Sequence, residues 1–504
     1  MSLYQKSDIA LFNDNVESLK DEATKIKLNK LSPTMSDIKR MEKIANDFLI
    51  KKRRKVYGGT ALNAVLSNID RKIGFYNEEI DIPDIDFYSP HPIPDLIELC
   101  NLYADAGFKP VSGQEAQHQG TYKIFVDLVN IVDISYVPAN IYNRIPFIEI
   151  NKIVYTHPSF MAIDYLRVIT DPITSWFRFE KVFKRFNLLL DKFPFKNSNQ
   201  PLKMPILKLN DSDKDMTKNL LNKILHFLIL HNSSCIVSGF YYYNLCVEES
   251  KINKSHIKSV NIPYYDVITS QFRSDGLELL EELKKISDKI SVIEYYPFFQ
   301  FMGQRAVILY KDTPLIVLYN NFKRCVPYKR IIYKDFANNK IGKNNELINI
   351  ASFPQNLLLL QTLYMYYRTN EDSTMMNVYQ TMISHLIEMR NYYFKSTKKN
   401  IFSDTIFQEF ILNCTGETID PAREKFFRIA EKKKQKRGSY TFKYEPLTKR
   451  ISPDLVKYQF PNTSGNAVNN EKNLQLHEKI NDSDDDEDII IEGDDDDSDE
   501  KNIG

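Results

Sequence analysis

The sequence predicts an α/β (α+β) protein with two tandem mixed-sheet domains of one pattern, the second degenerate, flanking helices and a disordered acidic tail. Three observations predict this. The first is a unit of short strand, Gly58-Gly59 turn and helix, followed by a second strand bearing Asp84 and Asp86. The second is the return of that unit 180 positions later, where Asp266 stands at the place of Asp86. The third is a change of composition from Pro461 onward, where the chain turns polar and then acidic. A length of 504 residues, 43% apolar and 26% charged, is globular and sufficient for two or three domains.

Residues 1–35 form an N-terminal helical segment in which Leu19, Ile26 and Leu28 suggest a face packed on a later domain. The first domain is expected over residues 36–194. Ser36 is a plausible N-cap, followed by Ile38, Met41, Ile44, Ala45 and Phe48 at helical spacing. The run Lys51-Lys52-Arg53-Arg54-Lys55 suits either a solvated helix end or a phosphodiester backbone. Gly58 and Gly59 let the backbone turn sharply, and the helix from Thr60 to Leu66 then aims its free N–H groups at the turn. That arrangement makes a seat for phosphate oxygens. Asp84 and Asp86, two apart on a strand, point to one face and form a seat for a divalent cation. A Gly-Gly turn alone is commonplace and an Asp-x-Asp strand is often only a wet face; their joint occurrence carries the reading. No G-x-x-x-x-G-K-[ST], G-x-G-x-x-G or H-E-x-x-H sequence offers a rival site.

A short helix from Asp95 to Ala106 precedes two alternating strands, Tyr122–Val126 and Ile131–Tyr136. Asp133 lies between Val132 and Ile134, and a buried carboxylate needs a partner, so it is the expected third metal ligand. Asp127, at the intervening turn, is the lesser candidate. Residues 159–190 are helical and broken at Asp171-Pro172. Arg178, Lys181, Lys184 and Arg185 form a basic side there, either a wet face or cations for a triphosphate or RNA.

The Gly-Gly-Thr turn followed by an apolar-flanked Asp-x-Asp resembles the nucleotidyltransferase superfamily of polymerase-β type. More narrowly, YGGTALN, PDIDFYS, DISYVP, DYLR, DPITSWFR and EKVFKR resemble, in order and spacing over about residues 50–190, the virus-encoded poly(A) polymerase catalytic subunits of poxvirus and giant-virus type. The resemblance implies addition of AMP from ATP to an RNA 3′ end, without a template, by two-metal chemistry using magnesium or manganese. It assigns Asp84, Asp86 and Asp133 to catalysis and metal, and Gly58, Gly59 and Thr60 to the triphosphate; from the basic helix side, Arg178 and Lys181 are the cations expected to join them. Partners implied are an RNA 3′ end, ATP, and either a second copy of the chain or a processivity subunit. His91 and His118 read as incidental.

Residues 195–203 are a polar linker, and residues 206–400 are expected to repeat the first domain in degenerate form with added helices. At a constant offset, Gly239 matches Gly59, Tyr243 (with Asn244 beside it) matches Asn63, Tyr264 matches Asp84, and Ile316 lies near the place of Asp133. Residues 401–460 form a helical, basic C-terminal region, and 461–504 the disordered acidic tail. Setting aside Lys501 and the 13 acidic residues between Asp482 and Glu500 leaves 66 Lys and Arg against 53 Asp and Glu, a net +13. A basic body suits nucleic acid. The five cysteines lack zinc spacing, and their odd number, with no leader sequence, points to free thiols in a reducing compartment. No apolar run is long enough to span a membrane. The expected location is the host-cell cytoplasm or viral factory, with packaging in the virion as an alternative. Rival functions are a uridylyl or tRNA nucleotidyltransferase and an inactive RNA-binding scaffold.

Overall fold

The computed structural model describes residues 3–77, 79–82, 84–204, 211–434, 443–448, 450–451 and 460–468. Two helices lead, α1 (Lys6–Lys30) and α2 (Met35–Lys52). Thr34, not Ser36, caps α2: its hydroxyl accepts the Asp37 N–H while the Asp37 carboxylate takes the Thr34 N–H. On α1 only Leu28 is buried; Leu19 and Ile26 remain 54% and 49% exposed.

The first half then runs β1 (Lys55–Val56), α3 (Gly58–Ile69), β2 (Ile85–Ser89), α4 (Pro92–Asp105), β3 (Val111–Glu115), β4 (Thr121–Val126) and β5 (Val129–Tyr136). It continues through α5 (Ala139–Arg144), β6 (Phe147–Ile150), β7 (Ile153–Thr156), α6 (Pro158–Ile169) and α7 (Phe179–Lys192). The strands order as β3-β4-β5-β2-β1-β7-β6, with β5/β2 and β1/β7 parallel and the other pairs antiparallel.

The second half repeats this sheet strand for strand. It comprises α8 (Asp211–Leu230), β8 (Cys235–Ser238), α9 (Gly239–Ser250), β9 (Tyr265–Thr269), α10 (Phe272–Lys284), β10 (Ile290–Tyr295), β11 (Arg305–Tyr310) and β12 (Thr313–Asn320). Next come β13 (Val326–Ile332), a small hairpin of β14 (Lys334–Asp335) and β15 (Lys340–Ile341), β16 (Leu347–Ala351), α11 (Phe353–Thr369) and α12 (Ser373–Thr397). The order is β10-β11-β12-β9-β8-β16-β13, with β12/β9 and β8/β16 parallel and the rest antiparallel. Even an irregularity recurs: β5 holds one extra residue, Ile131, opposite the Ile124/Phe125 step, and β12 holds Leu315 opposite Ile308/Leu309.

The shared register corrects three sequence equivalences. Asp86 pairs with Asp133 across β2/β5, and Asp266 pairs with Val317 across β9/β12, so Val317 rather than Ile316 stands for Asp133. Gly239 matches Gly58, since both open a helix at positive φ (+62° and +72°) against the strand carboxylate. Asn244 therefore matches Asn63, and each side chain ties the following loop, Asn63 to the N–H groups of Phe75 and Tyr76, Asn244 to Val260. The offset is 181 at Gly58 and Asn63, 180 at Asp86 and 184 at Asp133, because the second half has one residue fewer between Asn244 and Asp266 and four more between Asp266 and Val317, which a constant offset cannot express.

The C-terminal region returns to both sheets. β17 (Cys414–Thr415) pairs with β13; after α13 (Pro421–Lys434), β18 (Lys443–Glu445) adds to β3, with β19 (Arg450–Ile451) outside it. Among the described residues the sheets thus reach nine and eight strands. Cys325 and Cys414 form a disulfide, against the expectation of free thiols, because β17 lays Cys414 beside Cys325 at the start of β13; Cys100, Cys235 and Cys246 are free and buried. Residues 461–467, assigned by composition to the tail, are seated: the Phe299 N–H donates to Thr463 and the Gly465 N–H to Pro297. The acidic run beyond 468, the end of the 431–437 basic run and Ile489–Ile491 lie outside the described residues.

In the second half Phe240 and Tyr241–Tyr243 are buried where the first half leaves its turn open. Asp266 remains alone there, 1% exposed, accepting the Tyr319 hydroxyl at 2.8 Å with its other oxygen unbonded. Burial raises its pKa to about 7, opposed by the Tyr319 hydroxyl and by Arg305. The folded chain therefore keeps a proton that the unfolded chain has released, and this group's stabilisation is lost as pH rises from the ordinary carboxylate range through about 7. Asp266→Asn should raise the unfolding temperature more at pH 8 than at pH 5, measured by calorimetry; a larger gain at pH 5 would contradict this.

Candidate active site

Three carboxylates meet at the C-terminal side of the β1 strand. Parallel pairing sets Asp86 opposite Asp133, and Asp84 lies two residues before Asp86, so all three share one face. One oxygen from each falls within a 4.8 Å group. Asp133 is only 9% exposed. Burial pushes the Asp86 carboxyl well above its usual range, Asp84 and Asp133 add repulsion, and Lys123 opposes it. Lys123 on β4 faces Asp133 across the hairpin, its ammonium 2.7 and 3.0 Å from the two carboxylate oxygens. The Asn130 amide donates to Asp133 at 2.9 Å and approaches Asp84 at 3.5 Å. Three acids against one lysine leave net negative charge in a confined set of oxygens. That donor set fits a hard divalent cation.

The glycines have two different reasons. A Cβ on Gly58 would lie 2.6 Å from an Asp86 oxygen, so this position is closed by the carboxylate itself. A Cβ on Gly59 would run into the Tyr76 hydroxyl and lie 2.7 Å from the Arg185 guanidinium. The start of α3 has no side-chain cap, which leaves its first N–H groups for a ligand. Thr60 turns its hydroxyl to the Asp84 carbonyl at 2.9 Å and so ties helix to strand.

Arg178, Lys181 and Arg185 recur at the spacing of one helix face. Burial lowers the Lys181 pKa, then Arg185 and Arg178; Asp84 and Asp81 oppose, so this lysine feels the charge of Asp84. Arg185 lies over Phe75 (4.2 Å) and Tyr76 (5.3 Å), directly at Gly59. Lys184 instead pairs with Glu180 on an exposed face. The 51–55 run is committed elsewhere: Lys51 and Lys52 pair with Glu98, Arg53 with Glu149, Arg54 with buried Asp95, and Lys55 donates to the Tyr142 and Ile145 carbonyls. Asp127 accepts the Ser32 hydroxyl at the hairpin tip, away from the group. His91 precedes α4 as its cap residue. Lys123, Asn130 and Arg185 are the neighbours that a search for carboxylates and glycines passes over; Lys123 shows only as a cation in the alternating strand before the hairpin.

Comparison with known proteins gives consistent matches. The family model "Poly(A) polymerase catalytic subunit" matches residues 43–175, and one for the C-terminal part of a poly(A) polymerase catalytic subunit matches residues 192–478. A protein of Acanthamoeba polyphaga mimivirus named as a poly(A) polymerase catalytic subunit is 33% identical over 464 residues, covering 87% of this chain and 78% of its own length. A namesake from African swine fever virus (isolate Pig/Kenya/KEN-50/1950) is 29% identical over 165 residues, 32% of this chain and 34% of its own. The crystal structure of the Megavirus polyadenylate synthase superposes with a TM-score of 0.84 at 31% identity, covering 94% of both chains.

The geometry predicts a cation effect readable without any reaction. Magnesium or manganese should raise the unfolding temperature of the wild-type chain, and the Asp84→Ala/Asp86→Ala double variant should lose that rise. Gly58→Ala should cost about 1–2 kcal/mol from its left-handed backbone alone, and weaken the cation effect by displacing Asp86. An undiminished rise in the double variant would place the cation elsewhere.

Proposed function

We propose a mechanism for this site from one premise: the chain belongs to the family of viral poly(A) polymerase catalytic subunits. It is a poly(A) polymerase, an adenylyltransferase that uses ATP and a divalent cation. The carboxylate group around Asp86 carries the assignment of the reacting centre. Asp84, Asp86 and Asp133 are the proposed holders of magnesium or manganese. Bound there, such cations lower the pKa of the acceptor hydroxyl and neutralise charge on the phosphates.

The chain's own residues do the rest by placement. The open start of α3 at Gly58 and Gly59 offers N–H groups to the triphosphate. Arg178 and Lys181 supply cations for its outer phosphates, and Arg185, fixed on Phe75 and Tyr76, joins them at Gly59. Thr60 acts through the Asp84 carbonyl, holding that strand at the helix start. Lys123 and Asn130 keep Asp133 turned toward Asp86. The attacking group is the 3′-hydroxyl of an RNA, in line with the pyrophosphate that leaves ATP. No side-chain general base is required.

The finer partnership, a second copy of the chain or a separate processivity subunit, is decided by sedimentation of the purified protein. We place its work in the host-cell cytoplasm or viral factory. No helix among the described residues is long and apolar enough to cross a membrane.

Incubation of a labelled RNA with magnesium and each nucleoside triphosphate in turn should give long extension with ATP. Asp84→Ala, Asp86→Ala and Asp133→Ala should each lower turnover by about 10²–10³-fold, the scale of one lost electrostatic stabiliser. Asp127→Ala and Asp266→Asn should stay near wild type, and Arg185→Ala should raise the KM for ATP. Extension by the Asp84→Ala/Asp86→Ala double variant, or equal use of UTP, would refute the assignment.

A further inference from the structure

Two arginines from opposite halves meet at the seam beside this site. Arg167, near the end of α6, pairs with Asp164 at 3.2 Å and lies 5.7 Å from the Phe301 ring, while its Nε is shielded and unbonded. Arg324, just before β13, donates to the Arg167 carbonyl. Burial, then Arg167, holds the Arg324 pKa down at about 10, with Asp171 opposing. Asp171 is already engaged: it accepts the Thr174 N–H and the hydroxyls of Thr174 and Ser175. Arg178 reaches the same region, since both it and Arg167 act on Asp164 and on His118. Among the described residues Arg324 forms no ion pair, and a half-buried guanidinium beside a second one is costly without an anion.

Directly after Ser175 comes Trp176, the one tryptophan of the sequence, 64% exposed, with Phe177 66% exposed beside it. Large aromatic faces left in water next to an unpaired guanidinium group are the working parts of single-strand grooves, where bases stack and phosphates pair. The seam also leads to the carboxylates: Asp164 accepts the Tyr88 hydroxyl at 3.3 Å and acts on Asp86.

We propose that this seam seats the last nucleotides of the acceptor RNA, with a base on Trp176 and a backbone phosphate between Arg324 and Arg167. The inference rests on the adenylyltransferase reading and adds the acceptor's place to it. Through Arg324 the half without a complete carboxylate set takes part in the reaction. A polyanionic strand matches the charge of the seam, and stacking uses the exposed indole; an acidic protein partner would use only the charge.

Because Trp176 is the one tryptophan, its emission reports on the seam directly. Titration of the full chain with single-stranded oligoadenylate should give saturable quenching, with the midpoint about ten-fold weaker in Arg324→Gln. In extension assays Trp176→Ala and Arg324→Gln should each raise the KM for RNA on the order of ten-fold while leaving that for ATP unchanged. Trp176→Phe should restore most of the loss. Should Arg324→Gln prove unstable, exposed Trp176 still carries the test. Emission indifferent to saturating RNA, or a KM change for ATP instead of RNA, would overturn the proposal. Failure of the wild-type chain to extend RNA with ATP would strike the function beneath it; normal extension with unmoved RNA KM in both variants would strike the seam alone.

Discussion

In each half a strand carboxylate rests against the backbone of the glycine that opens a helix. Asp86 lies against Gly58, and Asp266 against Gly239, so closely that neither glycine has room for a Cβ. This contact fixes how far the helix start stands above the strand and forces the left-handed backbone of the turn. The sheet around it follows: β1 and β8 run into the glycine turn, and their antiparallel neighbours β2 and β9 carry the carboxylate beside it. In the second half the contact persists although Tyr264 and Val317 stand where the first half has acids. It is therefore part of the fold before it is part of any chemistry. The first half adds to this scaffold two more acids and leaves the turn open; the second fills the turn with Phe240 and tyrosines.

The carboxylates were legible in the sequence because two-residue spacing on a strand, and apolar flanks around Asp133, depend only on local geometry. Lys123 was not. Counting back from the two-residue turn at Asp127 and Leu128 would set it opposite Val132; the extra residue Ile131 moves it opposite Asp133. A bulge has no sequence signature of its own here, and with it goes the electrostatic partner of a site residue. The 51–55 run misleads for a related reason. Its acids are scattered over Asp95, Glu98 and Glu149, brought back only by α4 and β6. The Cys325–Cys414 pair, 89 residues apart, depends likewise on a two-residue strand that composition does not reveal.

The two halves join through apolar packing: one core runs from the second half into Tyr88, Phe160 and Phe186 of the first, while the first half keeps a second core of its own around Phe48, Leu62 and Phe87. Tyr88, near the end of β2, packs edge-on against Phe299, and Phe160 against Phe301. Tyr88 also stacks on Tyr57, 3.9 Å away, whose N–H donates to the Asp86 carbonyl. The Gln361 amide on α11 donates to the Ser159 carbonyl at the start of α6. A change in the second half can thus reach Asp84, Asp86 and Asp133 through packing, without contributing a residue to that group.

The C-terminal region returns to the first sheet. β18 closes the open edge of β3, placing Tyr444 in the first core with its hydroxyl 2.6 Å from Asn101. Phe460 then stacks 4.0 Å from Tyr136, and the following residues cross to Pro297 and Phe299. During synthesis, the first sheet therefore leaves the ribosome with a bare edge that stays bare for the length of the second half. Ser112, Gln114 and Glu115 on β3 are the polar side chains that suit such a wait, since polar residues discourage an exposed edge from recruiting foreign strands. A copy cut short before Lys443 would lack β18 and so differ in the very sheet that holds Asp84, Asp86 and Asp133.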